Sequence, residues 1–164
     1  MGYDLGVPPD KRKPSELQEL VMAFQQGLGE RLVALVLFGS RARGEADETS
    51  DWDVLLIARH LPEKTFQRHL EIKSMLPVPW RARATVLART PEEFESHLPS
   101  LYLDIALDGI VLHDTDQYMT KRLASLRRLI KKRGLRRESL QRETIWRWQR
   151  FPGLDWTLEW ERMP

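Results

Sequence analysis

The sequence contains no cysteine, which excludes disulfide bonds and thiolate metal sites. No apolar run approaches the roughly 18 residues that a membrane-spanning helix needs. No G-x-x-x-x-G-K-[ST] motif is present, so a P-loop nucleotide site is excluded. Residues 1–14 lack the apolar core of a secretory signal. We therefore expect a cytoplasmic protein with no membrane segment.

Charge is unevenly distributed along the 164 residues, although the net charge is only +2. The segment that begins at Lys121 and ends at Arg150 holds twelve lysines and arginines but only two acids. The chain's last thirty residues contain four tryptophans: Trp146, Trp148, Trp156 and Trp160. This composition could bind nucleic acid through phosphates and stacked bases. The alternative is a solvated basic helix, with tryptophans that complete the core or contact a partner chain. For the tryptophans we favour this structural role over base stacking.

The predicted order of elements is helix, strand, loop, strand, helix, strand, helix. Helices are predicted from apolar residues at helical spacing over residues 15–26, 62–75, 90–107 (with a break near Pro99) and 116–132. Strands are predicted from short apolar runs over residues 31–38, 51–58, 81–89 and 109–113. In the second helix we expect Phe66, Leu70 and Ile72 to face the core.

This order predicts an α/β fold of the α+β kind, a small mixed β-sheet flanked by helices. We expect one domain over residues 15–114. Residues 115–164 would form a basic helix and a Trp-rich extension packed on that domain.

Two acids, Asp51 and Asp53, lie at the start of the second predicted strand. Side chains two residues apart on a strand point to the same face, so these carboxylates should project together, with Trp52 and Val54 opposite. Neighbouring carboxylates repel each other and are costly to bury, and a hard cation such as Mg²⁺ removes that cost. The alternative is a pair of solvated acids at a strand start.

A glycine–serine pair, Gly39 and Ser40, directly follows the first predicted strand. Glycine has no side chain to keep a phosphate away, and backbone N–H groups can point at an anion. The serine hydroxyl adds a donor, and Arg41 and Arg43 add positive charge. The alternative is an ordinary turn.

Gly39-Ser40, ten further residues and Asp51-Trp52-Asp53 resemble the G-S-x(10)-D-x-D motif of the nucleotidyltransferase superfamily related to DNA polymerase beta. The likeness is greatest to the small prokaryotic minimal nucleotidyltransferases, and the flanks LVLFGSRARGEA and SDWDVLLIA agree with it. The resemblance covers roughly residues 15–114. It implies a mixed sheet flanked by helices.

The resemblance also implies transfer of a nucleoside monophosphate, AMP from ATP, to a hydroxyl acceptor with two Mg²⁺ ions. By position, Gly39 and Ser40 would contact the triphosphate, and Arg41 and Arg43 would stabilise developing charge. Asp51 and Asp53 would be the catalytic metal ligands.

One departure concerns the third acid that active relatives usually carry on the next strand. The matching position is Thr85, and no acid occurs between Glu71 and Glu92. A threonine hydroxyl cannot act as a base near pH 7, so activity should be weak. Three acids on predicted helices could substitute for it: Glu92, Glu93 and Asp104.

The missing acid leaves two further hypotheses besides an active transferase. Small relatives of this kind act as antitoxins that pair with a helical toxin, and some modify the toxin by adding AMP. The chain could therefore be a catalytically weak antitoxin-like module with a helical partner protein, or a homo-oligomer. It could also be a nucleic-acid-binding module that uses the basic segment.

Overall fold

The structure is a computed structural model that describes residues 15–141, 143–154 and 157–160. The expectation for residues 1–14 and the one for Trp156 lie outside these ranges. Within them, no helix is long and apolar enough to cross a membrane.

A four-stranded mixed sheet forms the centre of the fold. Its strands are β1 (Leu32–Phe38), β2 (Trp52–Ala58), β3 (Ala84–Arg89) and β4 (Ile110–Asp114). Their order across the sheet is β3-β2-β1-β4, with β1 antiparallel to β2 and β4, and β2 parallel to β3. The parallel pair requires a crossover connection, which contains two helices. The predicted mixed sheet flanked by helices is confirmed.

Seven helices surround the sheet within the described residues. They are α1 (Ser15–Leu28), α2 (Gly39–Arg43), α3 (Thr65–Met75), α4 (Val78–Arg81), α5 (Pro91–Ser96), α6 (Ser100–Asp108) and α7 (Tyr118–Arg133). The predicted break near Pro99 is confirmed, since α5 and α6 lie on either side of it. The third strand begins three residues later than predicted. Its expected first residue, Arg81, ends the short helix α4, which buries Trp80 in the core.

The sheet lies between two helical layers. One core cluster joins one face of the sheet to α1, α3 and α4, and the other joins the opposite face to α5, α6 and α7. Along β2, Val54 and Leu56 belong to the first cluster, whereas Leu55 and Ile57 belong to the second. This alternation follows from the two-residue period of a strand.

The orientation of α3 differs from the prediction. Ile72 is buried, but Phe66 is 71% exposed and Leu70 is 50% exposed. Positions two residues apart differ by about 200° around a helix. The face that carries Arg68 and Ile72 packs inward, so the face of Phe66 and Leu70 points away from the core.

The C-terminal part packs on the second helical layer. After α7 the chain forms a hairpin of β5 (Leu135–Leu140) and β6 (Glu143–Trp148). Trp146 donates its indole N–H to Asp104 at 3.1 Å, and Trp160 donates to the carbonyl of His97 at 2.9 Å. These contacts favour the structural role for both tryptophans over base stacking.

The basic segment is partly neutralised within the chain. Arg137 pairs with Asp104 and Asp108, and Arg122 pairs with Glu95. Nucleic-acid binding by this segment stays a prediction without structural support, and so does a domain boundary after residue 114.

Candidate functional site

The glycine–serine turn and the acids meet at one end of the sheet. In the antiparallel pair of β1 and β2, Phe38 pairs with Asp53, so Gly39 follows directly beside that acid. On the other side of β2, Asp53 pairs with Thr85 at the start of β3. Three strands therefore bring the turn, Asp53 and Thr85 together.

Gly39 contacts Asp53 so closely that no side chain fits between them. A Cβ built on Gly39 would overlap the Asp53 carboxylate, and it would lie 3.2 Å from the carboxyl carbon. Gly39 also has a φ of +73°, which L residues with side chains rarely adopt. Two independent constraints thus require glycine here, which the sequence motif alone does not reveal.

The Asp53 carboxyl lies in an environment that disfavours its charge. Partial burial raises its pKa, the negative charge of Asp51 raises it further, and Arg43 opposes the shift. The two carboxylates therefore share one electrostatic environment, as the strand spacing predicts. A cation placed between them would remove the repulsion.

The donor set around this pair is small. Among the described residues, no group of three or more His, Cys, Asp or Glu side chains could hold a metal ion. Two carboxylates nevertheless fit Mg²⁺, because this ion commonly takes one or two carboxylates and completes its shell with water and substrate phosphates. They would not form an all-protein cage.

Thr85 occupies the position beside Asp53 where a third acid would lie. Residues paired across neighbouring strands point to the same face of the sheet, and the Thr85 side chain is exposed there. Two of the acids that could substitute are engaged elsewhere. Glu93 accepts hydrogen bonds from Arg68 at 2.7 and 2.8 Å, and Asp104 binds Trp146 and Arg137.

Arg41 fixes the segment that leads into the acids. Its guanidinium donates twice to the Ser50 carbonyl, at 2.8 and 3.2 Å, and lies 4.4 Å from the centre of a Trp52 ring. Before Ser50, Asp47 accepts hydrogen bonds from the Thr49 amide and hydroxyl at 2.8 and 2.6 Å. The loop that positions Asp51 is thus internally bonded.

Arg43 is the more available of the two predicted phosphate-binding arginines. It pairs with the exposed Glu45 at 2.8 Å, and its positive charge lowers the pKa of Asp53. An exposed pair of this kind is weak, so an incoming phosphate could replace Glu45. Phosphate binding by Arg41 or Arg43 stays a prediction.

A cavity of about 420 Å³ lies between α3 and β3. Thr85 contributes to its wall, whereas neither Asp51 nor Asp53 does. The two acids therefore lie outside the cavity, and Thr85, which pairs with Asp53, lies between them and it.

Comparisons with known proteins agree with this arrangement. A family model described as a nucleotidyltransferase domain matches residues 17–113. Two Methanocaldococcus jannaschii proteins, each named "Putative protein adenylyltransferase", are 40% identical over 60 residues and 36% identical over 64 residues. These matches cover 37% and 36% of this chain, and 41% and 65% of the relatives, less than two thirds of each.

One solved structure has a similar fold. It is described as a toxin-antitoxin with AMP-PNP, and it aligns with a TM-score of 0.50 and 18% identity over 71% of this chain and 90% of that chain. At this identity the likeness concerns the fold alone.

Proposed function

The chain belongs to the nucleotidyltransferase domain family, and we propose that it transfers AMP from ATP to a hydroxyl group of another protein and releases pyrophosphate, with Mg²⁺ held at Asp51 and Asp53. The choice of a protein acceptor is supported by the names of the two Methanocaldococcus jannaschii relatives. The choice of ATP is supported by the fold shared with a toxin-antitoxin described with AMP-PNP.

The observation that carries the proposal is the contact between Gly39 and Asp53. It places a turn without a side chain directly against a carboxylate whose charge is disfavoured. Because glycine lets the backbone of the turn lie against a metal ligand, a phosphate held by the N–H groups of the turn would lie near the carboxylates. The conformation of Gly39 and the pairing of Phe38 with Asp53 both fix this geometry.

The residues of the chain would divide the work. Asp51 and Asp53 would hold the metal, and Ser40, in the first turn of α2, would donate its amide and hydroxyl to the triphosphate. Arg43 would release Glu45 and stabilise charge on the phosphates as it develops. Bound Mg²⁺ would neutralise the triphosphate and favour the ionised form of the acceptor hydroxyl.

A second candidate function is favoured by Thr85. Thr85 cannot take the proton of the acceptor hydroxyl, and the neighbouring carboxylates of Asp51 and Asp53 would be occupied by the metal. The chain would then bind Mg²⁺ and nucleotide and inhibit a partner protein by binding it, as an antitoxin-like module, with slow transfer or none.

Thr85→Asp separates the two candidates. If Thr85 limits catalysis, the aspartate should raise the rate of AMP incorporation about 10²-fold, the scale of general base catalysis. Incorporation of labelled AMP into a copurifying protein measures this rate, and Thr85→Asn, of similar shape but unable to act as a base, is the control. An equal rate in the two variants would show that the third carboxylate does not limit the reaction.

Calorimetric titration of ATP with and without Mg²⁺ tests the site itself. We expect the wild type to bind ATP only with Mg²⁺, and the double variant Asp51→Asn/Asp53→Asn to lose this binding. Glu48→Gln is the matched control, since it removes an exposed acid of the same loop and should bind like the wild type. Magnesium-dependent binding that persists in the folded double variant would disprove the proposed metal site.

A further inference from the structure

Among the described residues, strand β3 lies at the edge of the sheet and pairs with β2 on one side only. The Trp52 amide donates to the Arg83 carbonyl at 2.8 Å, and Trp52 pairs with Ala84. In a parallel ladder the polar groups of alternate residues face the same neighbour. Those of Thr85 therefore face β2, whereas the N–H and C=O groups of Ala84 and Val86 face the open edge.

Two devices that protect an edge strand, a proline and a register shift, are missing from β3, although Arg68 and Arg89 donate to the outward carbonyl of Ala88 near its end. Its sequence, ATVLAR, has no proline, and its pairing with β2 runs from Trp52–Ala84 to Ile57–Arg89 without a register shift. The other edge strand, β4, is shorter and its pairing with β1 does contain a shift. A regular open edge of this kind is a template for one more strand.

The cavity of about 420 Å³ follows this open edge. Its apolar side chains include Ile72, Leu76 and Val86, and its walls carry four arginines or lysines and one histidine: Arg68, His69, Lys73, Arg81 and Arg89. No acid lines it.

Part of this positive charge has no ion-pair partner among the described residues. Glu93 neutralises Arg68, but no carboxylate of the described residues lies within ion-pair distance of Lys73 or Arg81, and Arg81 donates to the neutral carbonyl of Leu76. The groove therefore attracts an extended segment that carries negative charge.

We propose that an extended, acidic segment of the acceptor protein pairs with the open edge of β3. The inference rests on the proposed function, because it names how the acceptor reaches the same site. An added strand would lie about 4.8 Å beyond β3 and about 10 Å from β2. A residue of that segment opposite Thr85 shares its face of the sheet, so a hydroxyl at this position lies on the face that carries Asp53, with Thr85 between them.

A second copy of this chain is a poorer occupant than an acidic segment. Pairing two β3 edges would bring Lys73 and Arg81 of one copy close to the same residues of the other. Like charges brought together in this way oppose association.

The backbone contribution is tested with Val86→Pro and the control Val86→Ala. Both variants shorten the side chain, but only proline removes the outward N–H, and proline is tolerated where that group faces away from the ladder. The probe is a short fluorescein-labelled peptide that alternates glutamate and valine around one tyrosine. We expect fluorescence polarisation to show binding to the wild type and to Val86→Ala, and about tenfold weaker binding to Val86→Pro.

The charge contribution is tested with surface variants, which also keep the proposal falsifiable if Val86→Pro does not fold. Lys73→Glu should weaken binding of the acidic peptide about tenfold. Lys131→Glu, the same change at an exposed position of α7, should leave binding unchanged. A peptide with lysine in place of glutamate should not bind.

Titration of Mg²⁺ and ATP on the same variants separates this inference from the proposed function. Val86→Pro and Lys73→Glu should bind ATP like the wild type, so lost peptide binding with intact ATP binding supports the groove. Absent peptide binding by the wild type, or equal binding by all variants, would overturn the inference and leave the nucleotide site untouched. A wild-type dimer that Val86→Pro converts to monomer in sedimentation would also overturn it, because a second copy would then occupy the edge.

Discussion

Replacement of Gly39 by alanine should damage nucleotide binding far more than it damages folding. Gly39 has a φ of +73°, and a Cβ there would overlap the Asp53 carboxylate. An alanine must therefore both adopt a left-handed conformation and push Asp53 away. Asp53 has little freedom to move, because its strand is paired on both sides, with Phe38 and with Thr85.

Gly29 provides a matched control at the other end of β1. It has a φ of +55°, and nothing lies within 4 Å of a Cβ built on it. Gly39→Ala should lose at least the stability that Gly29→Ala loses, because its Cβ also displaces the Asp53 carboxylate. Gly29→Ala should lose about 1–2 kcal/mol, the cost of the left-handed conformation. For a chain of this size, that loss lowers the Tm by roughly 2–8 °C.

The two variants should differ in their affinity for ATP with Mg²⁺. Mutation of a residue that orients a metal ligand typically costs about 10- to 100-fold in metal affinity, so Gly39→Ala should bind ATP with Mg²⁺ about 10- to 100-fold more weakly, while Gly29→Ala binds like the wild type. Calorimetric titration and thermal melts of both proteins give the two quantities. Wild-type affinity in folded Gly39→Ala, or an equal loss in Gly29→Ala, would refute the argument that Gly39 acts through Asp53.

Two further predictions concern stability. Without Mg²⁺, Asp53→Asn should raise the Tm at pH 7, because burial and the neighbouring acid raise the pKa of this carboxyl and its ionisation therefore destabilises the fold. The gain in Tm should shrink as the pH falls through the usual titration range of aspartate, because the wild type regains stability when Asp53 is protonated. Thermal melts at stepped pH in EDTA measure this gain. A gain that does not depend on pH would contradict the link between the pKa of Asp53 and stability. Arg68→Ala should cost about 1–2 kcal/mol in urea unfolding, because a mostly buried guanidinium loses two charge-assisted hydrogen bonds to Glu93, whose own side chain is 41% exposed. Arg83→Ala, which breaks a half-exposed pair with Glu16 at 3.4 Å, should cost under about 0.5 kcal/mol. Equal losses of stability in Arg68→Ala and Arg83→Ala would show that the burial of Arg68 does not matter.

Much of the fold could be predicted from local patterns. Apolar runs located all four strands of the central sheet, and the proline at position 99 located the break between α5 and α6. The hairpin strand β5 was not predicted, because LRRESL has no apolar alternation and its arginine at position 137 is stabilised by distant acids on α6. The outward face of α3 was also missed. Arg68 of α3 lies on the inward face because it donates to a carboxylate and to backbone carbonyls. A prediction from hydrophobicity alone does not include such hydrogen bonds.

The site divides in the same way. The spacing of Asp51 and Asp53 predicted that the two charges lie close, and the charge of Asp51 does raise the pKa of Asp53. Their shared face stays a prediction, because β2 begins at Trp52. Counting back from the predicted helix start at Thr90 gave the place of Thr85, which pairs with Asp53. The contact between Gly39 and Asp53 could not be predicted, because it depends on how two strands are aligned. The bonding of Arg41 to the Ser50 carbonyl, rather than to open solvent, depends on the path of the loop for the same reason.

A sequence motif combines two properties, the length of the loop before Asp51 and the register of β2. The pairing of Phe38 with Asp53 shows that only the register sets the face on which Asp53 lies. The ten residues between Ser40 and Asp51 cover the rest of α2 and a loop. Their number sets only the length of the connection between β1 and β2. The face on which Asp53 lies is decided by register instead, since a slip of one residue would exchange it with Trp52. Evolution can therefore lengthen or shorten the exposed loop and keep the site, whereas one residue inserted within β2 would abolish it. Distant homologues can share this site and still fail any motif of fixed spacing.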